Sequence, residues 1–199
     1  MIILVTGSPG VGKSELAKVV SEDLRCKVVE SSEVMVREKA VIKDPARDTF
    51  IIEWDQGLRV ARSVASKSID SCVVVVTVTP TLWLEAVESE IVFIVLARCN
   101  PLILFRRLER RGWRKGKIVE NVMAEAFGVI AEELEPWWHS TFEVDTSDKN
   151  PRKVYEELLN KIDSWSVGIS IDWLSLESVG ELVARLSAQR DLDEYRLGM

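Results

Sequence analysis

The chain has 199 residues, 47% of them apolar, which suffices for one buried core, and carries a formal net charge of −6. That acidity excludes broad nucleic-acid binding through a uniformly basic surface, predicts no direct sequence-specific nucleic-acid contact, and suits a basic partner better. Three cysteines, Cys26, Cys72 and Cys99, lack CxxC spacing and His139 is the only histidine, so neither a disulfide framework nor a zinc site is expected; without a membrane-length apolar run or basic leader, the protein reads as soluble and cytoplasmic.

In chain order, the pattern predicts a strand over 2–6, a helix over 13–25, a strand over 27–30 and a helix over 32–40. A loop around 43–48, an extended piece at 49–53 and a helix near 55–67 follow, then strands over 72–78 and 91–96. Helices over 101–111 and 117–135, a strand over 142–145 and a helix over 151–165 complete the main body. Five short strands rich in Val and Ile, with little polar alternation, predict a parallel sheet covered on both faces, a three-layer α/β domain. Asn100-Pro101 and Asn150-Pro151 each place a capping side chain before a proline suited to the first helical turn. Residues 166–199, with an amphipathic helix around 175–189, read as a C-terminal helical appendage to a domain spanning 1–165.

The first strand runs directly into Gly7-Ser8-Pro9-Gly10-Val11-Gly12-Lys13-Ser14, the full spacing of a phosphate-binding P-loop between strand and helix. Its glycines permit positive φ angles, so that successive backbone N–H groups and the helix N-terminus converge on a polyphosphate. Lys13 would neutralise the β- and γ-phosphates of a nucleoside triphosphate, and the Ser14 hydroxyl would be a ligand of Mg²⁺. Between Arg106 and Lys117 stand seven basic residues and one acid, Glu109. Such density reads either as a lid over the transferring phosphoryl group or as a solvated helix end that complements the helix dipole. Residues 118–148 hold eight carboxylates and no Lys or Arg, either a solvated helix face or a docking surface for a basic protein. His139 reads as a packing or surface residue; Trp113 would stack on adenine or an arginine, or pack at the lid hinge.

The P-loop, Arg107-Leu108-x2-Arg111-Gly112-Trp113, Lys117-Ile118-x-Glu120-Asn121-Val122-x-Ala124-Glu125 and Glu143-Val144-Asp145-Thr146 together resemble the adenylate kinase isoenzyme 6 family over about residues 1–163. These are adenylate-kinase-like ATPases of small ribosomal subunit maturation. The resemblance implies a nucleoside-monophosphate-kinase-like P-loop fold, adenylate kinase and ATPase activity with ATP and Mg²⁺, AMP as acceptor and ADP as product, and a basic small-subunit ribosomal protein as partner. It implies that Gly10, Gly12, Lys13, Ser14 and Glu15 hold ATP, that Arg111 contacts it from a lid at about 110–120, and that a segment at about 30–53, with Arg37, binds the monophosphate. In the enzyme reading Lys13 and Arg111 stabilise the migrating charge and Arg107 supports the lid. The family's acid and histidine after the third strand are replaced by Thr77-Val78-Thr79; Asp55 or Glu53 would have to substitute. That departure keeps a second reading open, a catalytically weakened, nucleotide-gated binding factor, alongside a kinase for another small acceptor.

Overall fold

The computed structural model describes residues 1–45, 49–68 and 71–197. In chain order its elements are β1 (Ile2–Thr6), α1 (Lys13–Leu24), β2 (Lys27–Glu30), α2 (Ser31–Arg37), β3 (Val41–Asp44), β4 (Thr49–Ile52), α3 (Trp54–Ser66), β5 (Val73–Val76) and α4 (Pro80–Val87). After these come β6 (Ile91–Arg98), α5 (Pro101–Arg110), α6 (Lys115–Ala126), α7 (Val129–Glu133), β7 (Thr141–Asp145), α8 (Pro151–Asp163) and α9 (Glu177–Leu197). Five strands form one parallel sheet in the order β2-β5-β1-β6-β7, as the apolar runs predict. Helices cover both faces. Leu58 and Ala61 of α3 and Leu82 to Leu84 of α4 pack on Leu4 and Val75. Leu16 and Val20 of α1, with Val154 and Leu158 of α8, pack on Val5, Val74 and Val95. The result is the expected three-layer α/β fold.

Local chemistry starts the helices where the sequence places the signals. The Asn100 side chain accepts from Leu102 N at 3.0 Å and the Asn150 side chain from Lys153 N at 3.0 Å, each followed by proline in the first turn. Other boundaries differ. The helix expected over 117–135 ends at Ala126, because Gly128 adopts φ +68°, and restarts as the short α7 before a 3₁₀ turn at Glu135–Ser140. The loop and extended piece at 43–53 hold an antiparallel hairpin, β3 against β4, with Ile42 opposite Ile51; residues 46–48 of that loop lie outside the described residues. Helix α4 carries little periodic signal in the sequence, because Leu82, Trp83, Leu84 and Val87 are all buried and only Thr81 and Glu85 mark its polar side.

The cysteines also depart from expectation. Cys26 and Cys72 form a disulfide, with Cα atoms 4.5 Å apart. Each immediately precedes one of the register partners Lys27 and Val73 on adjacent strands, so a pairing invisible along the chain sets them side by side. Cys99 is free and buried.

Beyond α8 the chain returns to the sheet. Gly168 bridges Phe142 of β7 in parallel, and Leu182 and Leu186 of α9 pack against Leu104 and Leu108 of α5 and Val11 of the P-loop. The segment expected as an appendage thus shares a core with the phosphate loop. No helix among the described residues is long and apolar enough to cross a membrane.

Candidate active site

At the C-terminal end of β1 the chain turns through the P-loop into α1. Gly7, Gly10 and Gly12 have φ angles of +138°, +90° and +107°. A Cβ on Gly7 would lie 2.2 Å from the Ala97 carbonyl oxygen, and one on Gly10 2.6 Å from Leu108 Cδ2, so close packing as well as backbone angle demands glycine there. Lys13 is buried at the first turn of α1, and its Nζ donates to the carbonyls of Gly7 at 2.8 Å and Ser8 at 2.9 Å. Burial pulls its pKa down from 10.5 to about 8; Glu125 and Glu30 oppose that fall and Arg111 adds to it. Ser14 follows half-buried, and Glu15 is exposed beside Lys18 at 3.8 Å.

A cleft of about 280 Å³ opens beside this loop, lined by Gly10, Gly12 and Glu15, by Arg107 and Arg111 from the end of α5, and by Thr146 and Lys149 from the β7–α8 connection. Five of the residues singled out from the sequence therefore meet in one place. Arg107, expected as lid support, lies in the cleft wall. Its guanidinium donates to the carbonyls of Thr146 and Ser147, both at 2.6 Å, and of Val11 at 3.2 Å. The Thr146 hydroxyl donates to the same Val11 carbonyl, so β7 and the P-loop are fastened together. Arg111 is exposed at the end of α5, at the rim of the cleft. Trp113 packs, partly buried, against the cluster that includes Leu108 and Ile118.

Other expected residues lie elsewhere. Arg37 is exposed, pairs with Glu38 at 3.2 Å and lines a separate cavity of about 390 Å³ with Lys27, Arg59 and Lys67, at the opposite ends of the β2 and β5 strands. Glu53 and Asp55 are exposed at the start of α3. The carboxylates whose charge reaches Lys13 are Glu125 and Glu30, neither singled out for that role from the sequence. The Thr77 hydroxyl accepts from Thr79 N at 3.0 Å, a turn within the β5–α4 connection, and the buried Thr6 hydroxyl, one step past the Val5–Val76 register pair, has no partner. Among the described residues no group of three His, Cys, Asp or Glu could hold a metal ion.

The acidic segment is not one surface. Glu125 and Glu143 are each 2% exposed and grip Arg98 at 2.8 and 2.9 Å, and Asp145 accepts from Ser147 N at 2.9 Å. Glu120, Glu132, Glu135 and Asp148 remain exposed, and His139 lies on the surface against Trp138.

A P-loop joining the central strand of a parallel sheet to the first helix, under a cleft walled by arginines, defines a P-loop protein of the α/β class. The family described as "AAA domain" matches residues 3–128. A "Putative adenylate kinase" of Sulfurisphaera tokodaii is 32% identical over 188 residues, 94% of this chain and 93% of that protein. One so named from Saccharolobus solfataricus is 34% identical over 163 residues, 81% of this chain and 83% of that protein. The chain belongs to this adenylate-kinase-like P-loop family. Among solved structures, shikimate kinase from Aquifex aeolicus superposes with a TM-score of 0.54 at 18% identity, covering 83% of this chain and 98% of that one, a likeness of fold.

Proposed function

We propose that the chain is an adenylate-kinase-like phosphotransferase of the cytoplasm that takes ATP with Mg²⁺ and passes the γ-phosphoryl group to AMP or to water. The observation that carries this reading is the cradle itself: three positive-φ glycines and the buried Lys13 at the head of α1, with Gly10 and Gly12 lining a cleft that Arg107 and Arg111 also line. Gly10, Gly12 and Glu15 would flank the polyphosphate, with backbone N–H groups and the α1 terminus facing its charge. Lys13 and Arg111 would stabilise charge as it moves toward the acceptor, and Arg107 holds the P-loop against the β7–α8 connection. The Ser14 hydroxyl is the protein's own candidate ligand for Mg²⁺, which fits an ion carried in on phosphates and kept largely hydrated. Bound there, Mg²⁺ would neutralise phosphate charge.

One observation favours a second reading. The β5 strand ends in threonines bonded to one another rather than in a carboxylate, which withholds charge from the phosphoryl-transfer centre. On that reading nucleotide occupancy shapes a surface for a basic small-subunit ribosomal protein, and the exposed Glu120, Glu132, Glu135 and Asp148 are the acids left to meet it. The two separate in one assay: ADP formation from ATP·Mg²⁺ with and without AMP, against a Lys13→Ala control. AMP-dependent turnover that disappears in the control supports the kinase. ATP binding without turnover supports the binding factor, and turnover retained in Lys13→Ala overturns the assignment of the site.

A further inference from the structure

A second groove opens at the edge strand β2, on the face of the sheet that α3 covers. It encloses about 390 Å³ between α2 and α3, and none of its lining residues lines the cleft beside the P-loop. Its floor is aliphatic, made by Val29 of β2, Val73 of β5, and Val60 and Val64 of α3. No aromatic side chain lines it, so it offers nothing on which a base could stack. Around that floor stand four cations, Lys27, Arg37, Arg59 and Lys67, against one carboxylate, Glu38. Arg37 is paired with Glu38, but Lys27, Arg59 and Lys67 form no ion pair with any described residue. Cations that share a groove repel one another, and these stay unpaired in a chain of net charge −6, where carboxylates are plentiful. A bound anion removes that repulsion.

One end of the groove has the groups to hold such an anion. Lys27 opens β2, Lys67 caps the C-terminal end of α3, and Ser71 stands just before β5, its hydroxyl without a partner among the described residues. The Cys26–Cys72 bond joins the chain neighbours of Lys27 and Ser71, so this end is held in shape before a ligand arrives. Two ammonium groups and a hydroxyl match a phosphomonoester, which carries about two negative charges at neutral pH on several acceptor oxygens. A lone carboxylate would leave one lysine uncompensated.

We propose that this groove is a second ligand site, which takes a phosphomonoester with an aliphatic body: its phosphate lies between Lys27, Lys67 and the Ser71 hydroxyl, and its body lies on the valine floor. The site is not the acceptor site of phosphoryl transfer. Lys27 and Val73 are register partners at the start of their strands, whereas the P-loop follows the strand ends, and the step from Val73 to Val76 alone puts about 10 Å of sheet between them. Nor does the proposal depend on the phosphotransferase reading.

The test is a ¹H–¹⁵N NMR titration of the native chain with butyl phosphate, beside inorganic phosphate and butanol as the two halves of that probe. Butyl phosphate is expected to shift the amides of Lys27, Val64 and Ser71 saturably, inorganic phosphate to bind there about threefold or more weakly, and butanol not to bind. Lys27→Gln/Lys67→Gln removes two exposed charges that make no ion pair, so the fold is kept. Affinity at these amides should fall about tenfold or more in that variant, while any shift at Gly10 and Gly12 is unchanged. Shifts confined to the P-loop glycines, butanol as effective as butyl phosphate, or native affinity in the double variant overturns the proposal. Co-sedimentation with vesicles of dioleoylphosphatidic acid in phosphatidylcholine separates the sources of such a group. Native protein carried down while the double variant stays behind assigns the phosphate to a lipid headgroup; both left behind, with butyl phosphate bound, assigns it to a free phosphomonoester.

Discussion

The Cys26–Cys72 bond makes a stability prediction that can be worked through. It closes a loop of 46 residues between the N-terminal ends of β2 and β5. In the chain-entropy account, a loop of that length costs the unlinked unfolded chain about 4 kcal/mol more on folding, with measured values commonly about 2–4 kcal/mol. For a chain of 199 residues, each kcal/mol moves the melting temperature by roughly 2–4 °C, so loss of the bond should lower it by roughly 5–15 °C. The perturbation is the double variant Cys26→Ser/Cys72→Ser, melted by circular dichroism beside the native chain with and without reductant. Thiol titration in denaturant should find one reactive group, Cys99, before reduction and three after. In the folded protein Cys99 should react slowly, because burial raises its pKa from 9.0 to about 11. Three thiols in the unreduced chain, or a double variant that melts with the native protein, would refute the reasoning. A bond that survives purification also bears on compartment: an ordinary reducing cytosol does not preserve one, whereas intracellular proteins of hyperthermophiles keep theirs, so the cytoplasmic proposal then requires a cytoplasm of the second kind.

Two further outcomes follow from contacts around the P-loop. Gly10→Ala should lower both ATP·Mg²⁺ affinity and melting temperature, because its φ is +90° and the new Cβ would meet Leu108 at 2.6 Å and Leu104 at 3.0 Å; the backbone alone costs about 1–2 kcal/mol. Gly116→Ala, where a Cβ meets nothing within 4 Å at the start of α6, is the control, expected to be neutral or slightly stabilising. Arg107→Met should cost about 1–3 kcal/mol by denaturant melts, since it leaves the carbonyls of Thr146, Ser147 and Val11 without their donor. A fully stable Arg107→Met that loses only turnover would instead give Arg107 a direct role at the phosphates.

What was legible in the sequence was what is local. The P-loop announces itself because its chemistry needs eight consecutive residues, and α5 and α8 because an asparagine and a proline suffice to start a helix. The hairpin β3–β4 and the largely buried α4 lack such signals, the first for want of a tight-turn dipeptide and the second because only Thr81 and Glu85 mark its polar side.

The charged residues mark where local reading stops, and why. A count of carboxylates over 118–148 treats each as solvated, yet Glu125 finds Arg98 across 27 residues and Trp173 across 48, and Glu143 finds Arg98 across 45. One signal was available: Arg98 ends a strand, Ile91–Arg98, whose preceding residues Ile94 to Ala97 are all buried, and a guanidinium at such a place must find carboxylates inside the fold. From that requirement the rest follows. The acids nearest in sequence that could reach the end of β6 come from the next long helix and from the strand beside it, α6 and β7. Both are drawn inward, away from any docking surface. The acidity that reads as a surface for a partner is thus partly the internal counter-charge of Arg98, and only the remainder faces solvent.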